Sequence, residues 1–250
     1  MRLQLATWPE VDEYLKNSNG IIIPIGSTEQ HGPTGLVGTD ALTAEAIGQR
    51  LGDKLEAYVA PTISVGMAQH HLGFSGSMTL KPSTLLLVIK DMVDSLTVHG
   101  FERFFFVNGH GGNIATVTAA FSEVYADRSL GGASNRAPVK CILHNWFMMP
   151  NVGKLANELY GDAEGSHATV SEVAVTYALF PETAARVRNA PMEPGIAPDG
   201  DIYDAADYRR SFPDGRIGSN PALARAEHGE RFMQVAVDDL TQLYQEFVSR

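Results

Sequence analysis

Basic residues are scarce in this chain: 19 lysines and arginines stand against 29 aspartates and glutamates, for a net charge of −10. A nucleic-acid surface needs clustered lysine and arginine, and an anionic membrane attracts the same residues, so neither is an expected partner. Cysteine is nearly absent. The single Cys141, in the apolar stretch VKCIL, cannot form an intrachain disulfide, which fits a reducing compartment and reads as a small core residue. No apolar run approaches the roughly 18 residues of a membrane span. The opening MRLQLATWPEVDEYL has neither the charged lead-in and apolar core of an export signal nor its small-residue cleavage site. These absences lead us to expect a cytoplasmic protein. Also missing are G-x-x-x-x-G-K-[ST], G-x-G-x-x-G and G-x-S-x-G, which leaves nucleotide binding and serine-hydrolase chemistry without support.

What is present is an alternation of strand-like and helix-like segments. With 250 residues, 44% of them apolar, the chain can bury one large core, and a single domain over residues 1–250 is the expectation. The runs Gly20 to Ile25 and Phe104 to Val107, rich in Ile, Phe and Val, read as buried strands of a parallel sheet, with further strands at Ala57 to Ile63 and Val139 to His144. Helices are expected at Trp8 to Lys16 after a Thr7 cap, Asp40 to about Leu51 after Thr39, Ser83 to Val98 with Pro82 at its start, and Ile114 to Tyr125 capped by Asn113. Two more run from Ser166 or His167 to Leu179 and from Pro221 to Val248. Ser129 to Pro138 reads as turn, and Pro181 to Asn220 as an irregular excursion. Strands separated by helices imply βαβ units and hence an α/β fold.

The chemistry lies just after the strands. Glu29 and His31, two residues apart in an extended segment, can face one cavity while Gln30 faces away. Asp40 sits where the positive end of a helix dipole favours an ionised carboxylate, and His110 follows the second strand in NGHGGN. Ligands of open α/β sheets bind at the carboxyl ends of strands, so these segments are expected to converge. Mixed histidine and carboxylate donors suit zinc, manganese or iron better than calcium or magnesium, and a bridging Asp would make the site binuclear. Gly111 and Gly112 leave room for a substrate to approach the backbone closely. Of the pair His70-His71, His71 is the candidate for lining the pocket, the alternative being a surface histidine. His144 and Trp146 follow the last strand and read as substrate contacts or as core.

At these residues the sequence resembles the creatininase (creatinine amidohydrolase) family. The matching stretches are PIGSTEQHGPTGLVGTDAL from Pro24, FSGSMTL from Phe74, NGHGGN from Asn108 and SHATVSEVA from Ser166. The resemblance implies a three-layer α/β/α fold with a mostly parallel central sheet, a homohexamer, and two divalent metal ions per subunit, zinc foremost. It also implies hydrolysis of non-peptide C–N bonds in cyclic amides or formamides. Carried over by position, Glu29 and His110 would hold one metal, His31 the other, and Asp40 would bridge them. The sequence departs from the creatinine-hydrolysing members in three places. Gly112 stands where they carry a glutamate, leaving Glu172 as the available ligand or proton acceptor; NELYGDAEGS before His167 lacks their lid tryptophan; and Ser75 replaces a frequent proline.

The expected reaction is attack of a hydroxide shared between two ions on an amide carbon, with His167, its pKa expected near neutrality, passing a proton to the leaving nitrogen or stabilising the oxyanion. Two other readings stand beside this one: a metallopeptidase acting on a short peptide, and a noncatalytic metal-binding homologue.

Overall fold

The computed structural model describes residues 1–130, 138–187 and 191–249. Four parallel strands run in the order β2-β1-β3-β4, with β1 at Gly20–Ile25, β2 at Tyr58–Val59, β3 at Arg103–Asn108 and β4 at Lys140–Asn145. The two central strands are in register from Gly20 opposite Arg103 to Ile25 opposite Asn108. Alternation of side chains splits the core in two. Ile21, Ile23, Ile25, Phe104 and Phe106 point to one face, where they meet helices α3 (Pro82–Val98) and α4 (Asn113–Leu130), with α1 (Trp8–Leu15) at the edge. Ile22, Phe105 and Val107 point to the other, against α2 (Thr39–Leu55), α5 (Pro150–Tyr160) and α9 (Ala226–Val248). This is the expected three-layer α/β/α arrangement. The central residues of β1 and β3 are completely buried, which is why those strands read as continuous apolar runs.

Several expectations need correction. The β2 strand is two residues, not seven, because Pro61 offers no N–H; contact with β1 resumes only where Ile63 N meets Pro24 O at 3.0 Å. Asn113 does not cap α4 but is its first residue, fully buried, with Oδ1 accepting from Met67 N and Nδ2 donating to Gly26 O. Thr39 likewise begins α2 rather than capping it, its hydroxyl turned to Leu36 O. Residues Ser129 and Leu130 continue α4, while the rest of the expected turn at 131–137 lies outside the described residues. Helix α6 (Val170–Leu179) starts three residues after His167, behind a capping box formed by Thr169 and Glu172. The terminal helix begins at Ala226, after a separate 3-10 turn at Pro221–Leu223.

The sequence reading placed no helix where α5 stands, and the excursion after residue 180 holds two short ones, α7 (Pro181–Ala184) and α8 (Ala205–Ser211). Arg216 is fully buried within it. Its guanidinium pairs with Asp214 and donates to the carbonyls of Pro194, Gly195 and Ser219, so residues 194–219 are held as one folded strap beside His167.

A candidate metal centre

The site forms where β1 and β3 end. Gly109 N donates to Ile25 O at 2.9 Å, and a Cβ at position 109 would lie 2.2 Å from Asp40 O, so only glycine lets the β3 loop close against the first turn of α2. Glu29, His31, Asp40, His110 and Glu172 are thereby brought into one buried cluster. Two triplets in it are close enough to hold a cation, Glu29 with Asp40 and His110, and His31 with Asp40 and Glu172; Asp40 belongs to both. A third grouping joins Glu29, His31 and His167.

The hydrogen bonds decide how the histidines face. His31 Nδ1 lies 3.1 Å from Glu29 O, His110 Nε2 2.9 Å from Met67 O, and His167 Nε2 2.9 Å from Gln30 O. A carbonyl only accepts, so each of these nitrogens carries a proton, and each ring turns its other nitrogen to the carboxylates. His31 Nε2 stands 3.0 Å from Asp40 Oδ1 and 3.6 Å from Glu172 Oε1. His110 Nδ1 stands 3.2 Å from Glu29 Oε1 and 3.1 Å from Asp40 Oδ2. Those last two oxygens are buried, and apart from the His71 ring edge on Glu29 Oε1 no hydrogen-bond donor meets either. Unshared pairs on nitrogen and oxygen thus converge, an arrangement stable only around positive charge. The donor set fits a divalent transition metal.

Electrostatics agree. Burial alone would lower His31 and His110, but Asp40 and Glu172 lift His31 to about 10, and Glu29 and Asp40 lift His110 to about 9. Burial alone would raise Asp40, yet the two histidines hold it well below the usual carboxylate range. Burial pushes Glu172 up to about 7 and raises Glu29 as well. The cluster collects cations: protons on the imidazoles when nothing else is there, and a metal in competition with them. His167 departs from its expected near-neutral pKa, since burial, with His71 and His31 nearby, pushes it well below the ordinary value.

The other candidates are distributed unevenly. His71 is buried, its Nε2 3.0 Å from Glu29 Oε1, and burial with His70 and His110 lowers it to about 2. His70 does not diverge from it; a 3-10 turn over Gln69–His71 leaves the two rings 4.2 Å apart. Trp146 is fully buried in the core, its indole N–H on Thr43 Oγ1 at 3.2 Å, and His144 packs on Phe105, so neither lines the cavity. A cavity of about 490 Å³ opens on the cluster, lined by Asp40, His110, Gly111, His167 and Glu172 on the polar side. Phe147, Met148, Asn157 and Glu164 also line it; Asn157 and Glu164 lie in the NELYGDAEGS stretch, noted only for its lack of a tryptophan, and Phe147 and Met148 were missed. The one signal for Phe147 and Met148 was position, directly after Trp146. A second mouth, lined by His70, His71, Gly112 and Tyr203, reaches the same His110 and His167 from the other side.

A three-layer α/β domain with mixed histidine and carboxylate donors at its strand ends defines a metal-dependent hydrolase. The sequence profile of the Creatininase family, described as creatinine amidohydrolase, matches residues 4–244. The chain belongs to the creatininase family, and its class is that of an amidohydrolase. Among curated relatives, it is 26% identical to 3-dehydro-scyllo-inosose hydrolase of Thermotoga maritima, covering 99% of this chain and 83% of that protein. It is 24% identical to creatinine amidohydrolase of Pseudomonas putida, over 96% of this chain and 94% of that one. The mycofactocin precursor peptide peptidase of Mycobacterium ulcerans is 27% identical over 94% of this chain and 84% of its own. A solved creatininase in its Mn form superposes with a TM-score of 0.83 at 22% identity, over 100% of this chain and 99% of that one, and one of Zn-Zn type does so equally well over 98% of its own length.

Proposed function

We propose that this enzyme holds two divalent ions and hydrolyses a small, neutral amide, cyclic or formyl, at a C–N bond that is not a peptide bond. The observation that carries the reading is the pair of donor triplets sharing Asp40, whose Oδ2 is buried without a hydrogen bond. Glu29, Asp40 and His110 would hold one ion, and His31, Asp40 and Glu172 the other. Bound there, the ions supply an activated water at neutral pH and polarisation of the scissile carbonyl. Zinc suits the donor set best, and manganese or iron are compatible with it. The existence of solved creatininases in Mn and Zn-Zn forms supports the same choice.

The protein's own groups do the rest. Glu172 accepts the proton released by the attacking water. His167 presents a bare Nδ1 to the cluster, takes over that proton from Glu172 and delivers it to the leaving nitrogen, which cannot depart as an anion. Gly111 lets the substrate lie against the backbone, and His110, on which both mouths converge, separates them.

Creatinine itself is disfavoured. A Cβ at position 112 would lie 2.4 Å from His110 Nε2 and 2.7 Å from Met67 O, so a glutamate there, as in the similar creatinine enzymes, would break the bond that orients His110. Among the described residues neither mouth is lined by a lysine or arginine that could pair with the carboxylate of a peptide terminus, which weighs against the peptidase reading. No helix among the described residues is long and apolar enough to cross a membrane. The proposal extends to a cytoplasmic homohexamer, on the family resemblance and the lone free Cys141.

Elemental analysis of the native protein and Asp40→Ala, beside a panel of creatinine, formamides, cyclic amides and short peptides, tests the whole reading. About two ions per chain and turnover of a neutral amide, both lost in the variant, are expected. A native protein that binds no added zinc or manganese ends it, and turnover of peptides alone selects the peptidase.

A further inference from the structure

Gln30 is the member of the Glu29-Gln30-His31 run to which the chemistry above gives no task, yet it is only 5% exposed. Its amide fits in one orientation. Oε1 accepts from Gly32 N at 2.8 Å, and Nε2 donates to Gly215 O at 2.9 Å. Turned over, the group would set N–H against N–H and carbonyl against carbonyl. Position 215 is shaped for it: φ is +88°, and a Cβ there would lie 1.9 Å from Gln30 Oε1.

The same Nε2 stands 3.0 Å from His71 Nδ1 and 3.0 Å from His167 Nε2. His167 Nε2 already donates to Gln30 O, so it is no acceptor. The second amide proton of Gln30 faces His71 Nδ1 at 3.0 Å and, farther off, Tyr208 Oη at 3.3 Å; since an amide nitrogen accepts nothing, His71 Nδ1 must be bare, and the His71 proton sits on Nε2. Two ring edges then face Glu29 Oε1: the N–H of His71 at 3.0 Å and the free Nδ1 of His167 at 4.0 Å.

The backbone around His167 is held with equal care. Ala168, completely buried, has φ +52°, a conformation that costs a residue with a side chain on the order of 1 kcal/mol or more. The strap maintains it, since Ile217 pairs with His167 through both backbone groups and Ser219 Oγ donates to His167 O at 2.8 Å.

We infer that Gln30 is a positioning residue: its amide, locked between Gly32 and Gly215, sets the Nε2–H tautomer of His71 and holds the His167 ring so that its Nδ1 faces the cluster as a free base. The consequence for turnover rests on the proposed function; the tautomers do not.

The test is ring nitrogen NMR on zinc-loaded protein labelled with 15N-histidine, because ring shifts and couplings report which nitrogen carries the proton. In the native protein both rings are expected as Nε2–H. Gln30→Glu keeps the shape but puts an acceptor where Nε2 stands. It is expected to draw the His71 proton to Nδ1 and to lower kcat about tenfold or more, with KM within about threefold and bound metal unchanged, the scale of a lost orienting partner. Gln30→Met, which removes the donor without adding charge, is expected to leave His71 a mixture of tautomers. Either native ring found as Nδ1–H overturns the inference, as does a Gln30→Glu protein with unchanged tautomers. A kcat loss that follows loss of metal reduces Gln30 to scaffolding. Should Gln30→Glu not fold, the native spectrum and Gln30→Met decide. The spectra need no turnover, so a protein inactive on every amide but showing the stated tautomers ends the proposed function and leaves this inference standing.

Discussion

Glu29, Asp40 and His110 come from the ends of β1 and β3 and the first turn of α2, elements clamped together by the central sheet. The triplet His31, Asp40 and Glu172 draws its last member from α6, outside the sheet. The two differ in what else their atoms do. In the first, Asp40 Oδ2 has no hydrogen-bond partner, and the only donor meeting Glu29 Oε1 is the His71 ring edge at 3.0 Å. In the second, Glu172 Oε1 already accepts from Thr169 N at 2.6 Å and closes the capping box of α6. The carboxylates of the first triplet face only side chains, histidines and Ser27, while the second triplet shares its glutamate with the capping of a helix. The sheet-borne triplet should therefore bind a cation more tightly and survive loss of α6 contacts.

The sharpest way to break this comparison is to remove the residue both triplets share. Asp40→Ala is expected to lose bound metal at both positions and at least about 10²–10³ in kcat, read by elemental analysis and steady-state kinetics. Retention of metal by that variant would mean that the triplets do not depend on each other. Next in size, His71→Phe removes a group that touches Glu29 and neither His31 nor Glu172. It should weaken metal binding at the first triplet about 10- to 100-fold and leave the second alone, measured by titration with a competing chelator.

Glu172 separates its two duties. Glu172→Gln keeps a side chain able to close the capping box, so it should lower metal stoichiometry with little change in melting temperature. Glu172→Ala should do the same and also lose about 1 kcal/mol of stability in denaturant titration. Equal stability losses in the two would show that the cap is idle.

The smallest effect expected is a pH dependence of the metal-free protein. His31 and His110 have folded values near 10 and 9, above the ordinary imidazole value of about 6.5. A raised pKa contributes stability that is fully present below the unfolded value and is lost as pH rises through the folded one. Glu172, raised to about 7, acts in the same sense at lower pH. The melting temperature of metal-free protein should fall between pH 7 and 10, and metal should flatten that slope. An equal slope in the loaded protein would contradict the competition between protons and metal.

Much of this was legible beforehand in places where the cause is local. The strand Gly20–Ile25 was readable to the residue, because an apolar run followed by a glycine-rich loop has few other solutions. The five residues Glu29, His31, Asp40, His110 and Glu172 were named in advance and do come together, since each follows a strand or opens a helix. What was not legible depended on distant neighbours. Trp146 reads as a pocket aromatic until α2 supplies Thr43 as its partner and the core closes over it. The α5 helix and its pocket residues went unseen because its face is shaped by α9 and not by any motif. Gln30 looked like the outward-facing member of its run, which is true of the metal cluster but not of the strap, and the strap reaches it from nearly 190 residues along the chain, with a sequence separation of 185 to Gly215.

The sequence by itself determined the layers, the central strands and the chemical kinds of donor at their ends, because hydrophobic periodicity and turn residues act over a few positions. Only the tertiary structure decided which nitrogen of each histidine faces the cluster. That choice belongs to the backbone carbonyls of Glu29, Gln30 and Met67, and a carbonyl becomes a histidine's partner only when the chain has folded to bring it within about 3 Å.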